Sequence, residues 1–226
     1  MLPDSTPLDP SIVLWGDPRW DAAIAELEEA QVIGFDLETF GPNPEDGLNP
    51  WKGEIRLIGA GLPSGLSLVA DLGAAHEDRR ARAERYGAFL ALLGRKVRSV
   101  LVVGMELKFD SLWARVKFGW VIPQVRDIRL MSQVLWAGVG VKTDPRLSHG
   151  LKAIAERCGV ATSKEEQRED WGGKITARHL NYYHRDLHVP VACAKFLVQR
   201  LKAEGCLYSA IVECEAVCPF TEEEFY

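Results

Sequence analysis

Four carboxylates and one phenol stand in sequence settings that suit metal-dependent chemistry. Asp36 and Glu38 end an apolar run in VIGFDLET, and Asp110 follows a second apolar run in LVVGMELKFD. Asp186 belongs to NYYHRD, with Tyr182 four residues before it. Four carboxylates that converge on one pocket repel each other unless some are protonated or cations neutralise them. Oxygen ligands suit Mg²⁺ or Mn²⁺, and two such ions about 3.5–4 Å apart commonly serve displacement at a phosphodiester, so the sequence predicts a metal-dependent nuclease.

Each setting has an ordinary structural alternative when it is taken alone. The spacing of Asp36 and Glu38 recurs by chance in an acidic chain, but only this pair follows an apolar β run. Alternate residues of a strand project to the same side, so both carboxylates can bind one ion. Asp110 alternatively complements a helix dipole. Tyr182 and Asp186 would share one helix face, where a phenol can orient a metal-bound water or simply pack at an interface.

Short apolar runs bounded by turn signals predict the strands that hold these groups. The predicted strands are Val32–Asp36, Ile55–Leu62, Leu66–Leu72, Val97–Val103 and Val125–Ile128. Strands that alternate with helices imply an α/β fold with a mixed sheet and helices on its faces. Sites in such sheets form at the carboxyl ends of strands, which is where Asp36, Glu38 and Asp110 are expected.

Helical periodicity predicts the remaining elements. The predicted helices are 20–30, Glu77–Leu93 with Gly94 as its cap, Leu107–Val116, Arg129–Ala137, Leu151–Cys158, and Ile175 to about Gly205 with an interruption near Pro190.

Composition indicates a globular protein without a membrane span. The chain has 226 residues, 47% hydrophobic and 26% charged, which fits one large domain with a core. No apolar stretch reaches about 18 residues, and MLPDSTPLDP does not resemble a secretory signal, so we expect a cytoplasmic protein. The five cysteines form no CxxC pair and are expected to be free thiols. A net charge of −5 predicts weak, salt-sensitive binding to nucleic acid.

The motifs and their order resemble the DEDD superfamily of 3′–5′ exonucleases, in the subgroup that uses tyrosine. GFDLET resembles the strand-borne D-x-E motif, VVGMELKFDSLWA the HNxxFD region, and YYHRD the Y-x3-D motif. RDIRLMSQVLWAG, SHGLKAIAERCGV and the stretch from Glu166 to Leu180 resemble the connecting segments. The similarity runs from about residue 30 to 205.

The resemblance implies a fold and a set of residue roles. The implied fold is ribonuclease-H-like, with a five-stranded mixed sheet flanked by helices. Asp36 would contact two metal ions, Glu38 and Asp186 would serve the ion that activates water, and Asp110 would hold the other. Tyr182 would position the attacking water. The implied reaction releases nucleoside 5′-monophosphates.

The chain departs from the family pattern before the second aspartate. Met105 and Glu106 stand where the family usually has His and Asn. Glu106 is open to three interpretations: it faces away, it raises metal affinity, or it disfavours the substrate phosphate. Pro190 removes a helical hydrogen bond to the carbonyl of Asp186, so it is expected either to kink the helix or to begin a new one.

Substrate contacts are predicted around the first two motifs. The predicted residues are Thr39, Phe40, Trp51, Glu106 and Phe109. Phe40 or Trp51 would stack on a terminal base, with packing as the alternative for each. Trp171 is expected to pack.

The tail favours DNA as the substrate and suggests a domain boundary. Residues 201–226 look like the segment that joins a family A exonuclease domain to its polymerase. We therefore expect an exonuclease domain over 1–206, including an N-terminal extension over 1–29, and a helical tail or linker over 207–226. The predicted substrate is the 3′ end of single-stranded DNA, as in proofreading, with a polymerase domain or another replication or repair protein as a partner.

Two alternatives remain open from sequence alone. One is a ribonuclease D-like 3′–5′ exoribonuclease. The other is a non-catalytic nucleic-acid-binding domain, which the presence of all four carboxylates and the tyrosine disfavours.

Overall fold

A mixed sheet forms the centre of the protein. The computed structural model describes residues 6–73, 79–137, 148–162 and 171–225. Within these residues six strands follow the order β1-β4-β3-β2-β5-β6. They are β1 (Ile12–Val13), β2 (Val32–Phe40), β3 (Glu54–Gly61), β4 (Ser67–Asp71), β5 (Leu101–Gly104) and β6 (Val125–Asp127). Strand β3 pairs antiparallel with β2 and β4, whereas the pairs β1–β4, β2–β5 and β5–β6 are parallel. The predicted α/β class is confirmed.

Helices pack around this sheet. They are α1 (Trp20–Glu29), α2 (Arg79–Ser99), α3 (Leu107–Phe118), α4 (Ile128–Leu135), α5 (Leu151–Cys158), α6 (Ala177–Ala203), α7 (Leu207–Glu215) and α8 (Val217–Phe225), with a 3₁₀ turn at Asp46–Leu48. Alternate residues of β3 separate two cores, as the pleat requires. Leu57 packs with Tyr183 and Leu187 of α6, whereas Ile58 and Ala60 belong to the main core on the opposite face.

The boundary between α2 and β5 differs from the prediction. Helix α2 continues to Ser99, so the strand predicted from Val97 begins only at Leu101. Phe89, Leu93 and Val97 are buried at four-residue spacing, and this core stripe outweighs the β propensity of valine. Gly94 was wrongly predicted as a cap. A side chain there would meet the Trp120 ring at 2.5 Å, so this glycine permits close packing inside the helix.

The strand count also exceeds the five that the resemblance implied. The additional strand, β1, has two residues and pairs with β4 at Ser67 and Leu68. Two residues are too few to show the alternation from which strands are predicted.

Helix α6 runs without interruption through Pro190, contrary to the predicted break. It lies across the sheet and packs against β2, β3 and β5. Val189, Cys193 and Leu197 are buried on either side of the proline. Tertiary packing of this face compensates for the one hydrogen bond that proline cannot donate.

The helix rests directly on glycine backbone. Gly34 of β2 and Gly61 of β3 are register partners in the sheet. A Cβ atom at these positions would lie 2.0 and 2.9 Å from the carbonyl oxygen of Leu187. Gly59 leaves similar space for the ring of Tyr183. Only glycine allows the helix backbone to approach the sheet this closely.

A second contact holds α6 to the edge of the sheet. The buried Ser67 hydroxyl of β4 lies 2.7 Å from Nδ1 of His184 and 3.0 Å from Nε2 of His188. Burial lowers the pKa of both histidines, that of His188 to about 4. These rings therefore serve as neutral hydrogen-bonding groups.

Residues beyond the predicted boundary at 206 form α7 and α8. Helix α7 packs on α4, and α8 packs on α3. Arg115 of α3 donates to Glu222 of α8 at 2.7 Å and lies 4.3 Å from the Phe225 ring centroid. The boundary itself stays a prediction.

Among the described residues, no helix combines the length and hydropathy that crossing a bilayer requires.

Gly34→Ala should destabilise the protein by about 3 kcal/mol, because the new methyl group meets a carbonyl oxygen of the helix backbone. The control is Gly87→Ala in α2, where nothing lies within 4 Å of the added carbon. That change should stabilise by about 0.5–1 kcal/mol. Urea denaturation measures both, and equal stability of the two variants would contradict the close approach.

Candidate active site

The four predicted carboxylates meet in one cavity. Carboxylate oxygens of Asp36, Glu38 and Asp186 lie within 4.8 Å of one another. Asp110 joins them through a hydrogen bond from the main-chain N–H of Leu37, the residue between the first two. All four, together with Tyr182, line a cavity of about 410 Å³.

Three elements bring these groups together. Asp36 and Glu38 lie within β2 and not at its end, because the strand continues along β3 to Phe40. Strand β2 pairs with β5 only as far as Gly34, so the edge of β2 that faced β5 has no strand partner at Asp36 and Glu38. Strand β5 leads into α3, whose first turn carries Asp110. Helix α6 then supplies Tyr182 and Asp186 one turn apart on one face.

Burial and mutual repulsion make the cluster hold protons. Burial raises the pKa of Asp36 well above its ordinary value, and the charge of Asp186 raises it further. Burial followed by repulsion from neighbouring carboxylates does the same for Glu38 and Asp110. The pKa of Asp186 rises to about 7, chiefly through burial. Without a compensating cation these groups cannot all ionise at neutral pH.

The donor set fits hard divalent cations. It consists of carboxylate oxygens from separate elements, which is what Mg²⁺ and Mn²⁺ prefer. Arg185 lowers the pKa of Asp186, but less than the hydrogen bond from Tyr182 does and against the larger effect of burial. A divalent ion at this point would neutralise charges that the protein itself leaves nearly uncompensated.

Tyr182 keeps its proton in this surrounding. Burial raises its pKa above the ordinary value of 10.0, and the carboxylates of Asp186 and Glu38 raise it further. The phenol hydrogen-bonds to Asp186. Its ring lies 6.2 Å from the ring of Trp171, which packs at the start of α6 as expected. The phenol is therefore a hydrogen-bond donor facing the cavity.

Tyr183 is a positioning residue that the sequence analysis missed. Its hydroxyl donates to the main-chain carbonyl of Asp36 at 2.5 Å, and its side chain is completely buried. The bond ties the strand at Asp36 to the helix that carries Tyr182. The doubled tyrosine in NYYHRD was the available signal, but nothing in the sequence shows which partner the second ring meets.

Asp127 is a second missed residue, and it fixes the start of α3. Its carboxylate accepts hydrogen bonds from the N–H groups of Leu107 and Arg129, each at 2.8 Å. It thus caps α4 and pins the first turn of α3, where Asp110 lies. Aspartate before IRLM is a readable N-cap signal, whereas the bond to α3 depends on the tertiary structure.

The residues predicted to contact substrate divide into two groups. Glu106 and Phe109 line the cavity, and Glu106 forms an ion pair with Arg129. Glu106 has a left-handed backbone with φ of 60° just before α3. Thr39, Phe40 and Trp51 are absent from the described cavity wall. The Thr39 hydroxyl donates to the carbonyl of Gly47 at 2.5 Å, and Trp51 is 56% exposed on the following turn.

Comparisons with known proteins identify related sequences and folds. A family model described as 3′–5′ exonuclease matches residues 18–202. No curated protein matches the chain. Brucella melitensis NrnC is 23% identical with a TM-score of 0.66, and the match covers 88% of this chain and 86% of that one. The apo form of a nuclease is 21% identical with a TM-score of 0.70, and the match covers 95% of this chain and 93% of that one. Escherichia coli RNase D is 17% identical with a TM-score of 0.68, and the match covers 96% of this chain and 51% of that one.

Mg²⁺ should stabilise the protein more strongly as the pH rises. The folded-state pKa of Asp186, about 7, exceeds its ordinary value of 3.8. The protonated carboxyl group therefore contributes its full stabilisation below pH 3.8, and this contribution is lost as the pH rises through about 7. Metal-free melting temperatures should fall from about pH 5 to about pH 8, and saturating Mg²⁺ should remove much of that fall. Asp186→Asn should show a shallower fall. A metal-induced shift that does not change with pH would contradict the charged cluster.

Tyr183→Phe should cost about 1–3 kcal/mol, because the buried carbonyl of Asp36 loses its donor. Tyr208→Phe is the matched control, since Tyr208 is 78% exposed. Urea denaturation gives the stability, and calorimetric titration with Mg²⁺ should show weaker binding by the Tyr183 variant alone. Identical behaviour of the two variants would remove the positioning role.

Proposed function

Because this chain belongs to the 3′–5′ exonuclease family, we propose that it removes nucleotides one at a time from the 3′ end of single-stranded RNA. The enzyme class predicted from the motifs, a 3′–5′ exonuclease, is confirmed by the family match. Assignment to the tyrosine subgroup stays a prediction. The observation that supports the proposal most directly is the convergence of Asp36, Glu38 and Asp186 within 4.8 Å.

Divalent metal ions are the cofactor, and we propose two of them. When bound, they supply an activated water and stabilise the leaving oxygen. Asp36, Glu38 and Asp186 would hold these ions, together with Asp110 from α3. Brucella melitensis NrnC has a structure with bound Mg²⁺, which supports the same choice of ion.

The chain's own residues orient the reaction. Tyr182 remains protonated, and its hydroxyl could donate to the water that attacks the phosphorus atom if a metal ion took its place as the partner of Asp186. Attack in line with the leaving 3′-oxygen gives a nucleoside 5′-monophosphate and a shortened strand with a free 3′-hydroxyl. Leu151 lines the cavity together with Tyr182, and the Trp171 ring packs 6.2 Å from the Tyr182 ring.

RNA is supported by the proteins of similar fold. Escherichia coli RNase D is described as an exoribonuclease involved in structured RNA processing, and Brucella melitensis NrnC has a structure with bound pGG. Single-stranded DNA, favoured from the sequence, is the second candidate, supported by the resemblance to family A exonuclease domains. A polymerase or another replication or repair protein as partner stays a prediction, as does a cytoplasmic location.

A non-catalytic nucleic-acid-binding role fits the cluster poorly. Burying several carboxylates together is costly, and a domain that only binds phosphates gains nothing from negative charge. Substitution of unneeded carboxylates would stabilise such a domain. Their presence around one cavity therefore supports catalysis.

The double variant Asp36→Ala with Glu38→Ala should lose activity by at least about 10³-fold, because both ions lose ligands. It should fold, and without metal it should be at least as stable as the wild type, since two repelling carboxylates are removed. The assay follows shortening of a 5′-labelled oligonucleotide in Mg²⁺ or Mn²⁺, with EDTA as the blank. Full-rate digestion by the folded double variant would refute the assignment.

The same assay separates the substrates. RNA and DNA oligonucleotides of one sequence, run side by side, should show a higher kcat/KM for RNA. A higher value for DNA would reverse the proposed preference and leave the exonuclease class intact. Binding of oligonucleotides without any shortening under all metal conditions would favour the non-catalytic alternative.

A further inference from the structure

A second groove opens beside the carboxylate cavity. It has a volume of about 610 Å³ and lies between α3, α4 and the C-terminal helices. Leu48, Glu106 and Phe109 line both the cavity and the groove. The two spaces are therefore continuous along a shared wall. A strand whose 3′ nucleotide occupies the cavity must leave it through an opening, and this groove is such an opening.

The groove combines aromatic surface with charged side chains of both signs, since Glu106, Asp127, Glu213 and Glu224 line it along with two cations. Phe109 of α3 and Phe220 of α8 lie on its walls with Lys108 and Arg129. Phe220 is 53% exposed and Leu48, on the same groove, is 71% exposed, so apolar surface is open to solvent along it. Phe220 also lies beyond residues 18–202, the part of the chain that matches the family model.

Both cations are held in exposed ion pairs, and they differ in their distance from the cavity. Lys108 pairs with Glu224 at 2.5 Å and also lies 5.8 Å from the ring centroid of Phe220. Arg129 pairs with Glu106 where the groove meets the cavity. The side chains of Arg129 and Glu106 are 44% and 51% exposed, and ion pairs this exposed contribute at most about 1 kcal/mol. A phosphate can therefore displace Glu106 at small cost.

We propose that this groove binds the nucleotide on the 5′ side of the scissile bond, with Arg129 contacting its phosphate and Phe220 stacking on its base. Glu106 then holds Arg129 in place in the absence of substrate and competes with the phosphate. Arg129 is the cation at the junction with the cavity, and competition from its carboxylate partner agrees with the weak, salt-sensitive binding expected from the net charge. This inference rests on the proposed exonuclease function.

Two substrates distinguish the groove from the cavity. A single-stranded octanucleotide occupies both, whereas the p-nitrophenyl ester of a nucleoside 5′-monophosphate has no upstream nucleotide. Arg129→Met should lower the ratio of kcat/KM for the octanucleotide to kcat/KM for the ester about tenfold. The salt dependence of octanucleotide binding should lose about 0.7 from its logarithmic slope, the share of one phosphate contact on a single strand.

Glu106→Gln should act in the opposite direction. Without the competing carboxylate, Arg129 is free for the phosphate, and the KM for the octanucleotide should fall about threefold. Phe220→Ala should raise that KM about tenfold, and Phe220→Tyr should restore it, because stacking needs a ring. A general loss of stability would not change the kinetics of Glu106→Gln and Arg129→Met in opposite directions.

Arg200→Met is the matched control. Arg200 is 51% exposed and pairs with Glu204 on α6, so it differs from Arg129 in location and not in type. It should leave both substrates unaffected. Equal losses on both substrates with Arg129→Met, or no loss on either, would overturn the inference. Melting temperatures confirm that each variant is folded.

Failure of the proposed function would be recognised separately. If the wild type cleaves neither substrate, the exonuclease assignment fails. Fluorescence anisotropy with the labelled octanucleotide in Ca²⁺ then tests the groove without catalysis. Weaker binding by Arg129→Met and Phe220→Ala would support nucleotide binding in the groove. Binding as tight as that of the wild type by both variants would exclude it. That result is also expected if the groove instead accepts a protein partner or a second copy of the chain.

Discussion

The close approach of α6 to the sheet determines where Tyr182 and Asp186 lie relative to the carboxylates of β2. The carbonyl oxygen of Leu187 rests over Gly34 and Gly61, which pair across two strands. Any larger residue would lift the helix, and with it Tyr182 and Asp186, away from β2. The Tyr183 hydroxyl adds a direct bond from this helix to the carbonyl of Asp36. Packing against bare backbone and one buried hydrogen bond thus set distances that the chemistry requires.

This rigid scaffold is needed because the four carboxylates repel one another. Asp36, Glu38, Asp110 and Asp186 have raised pKa values through burial and mutual repulsion, so the metal-free protein is strained electrostatically at neutral pH. A weaker scaffold would relieve the repulsion by separating them. The glycine contacts, the Asp127 cap and the Ser67–His184–His188 hydrogen bonds hold the supporting elements instead. Divalent ions then convert the same repulsion into metal affinity.

The C-terminal helices extend the substrate path beyond the family core. Helix α8 packs on α3 through the Arg115 and Glu222 ion pair, and it contributes Phe220 to the groove beside the cavity. The metal-dependent chemistry and the proposed route of the strand thus come from different parts of one chain. The acidic net charge fits this division, since few cations meet the substrate and the metal site supplies most of the attraction for phosphate.

The sequence alone determined the enzyme class, the α/β architecture and the identity of the five groups around the cavity. It did so because metal chemistry restricts the residue types and because strand and helix periods are local properties. It misjudged the end of α2, with Gly94 inside that helix, and the continuity of α6 at Pro190, whereas substrate contacts of Thr39, Phe40 and Trp51 stay predictions. Those features depend on which surfaces pack together, such as Trp120 against Gly94. Tyr183, Asp127 and the groove at Arg129 were decided only by tertiary structure, because their partners lie far away along the chain.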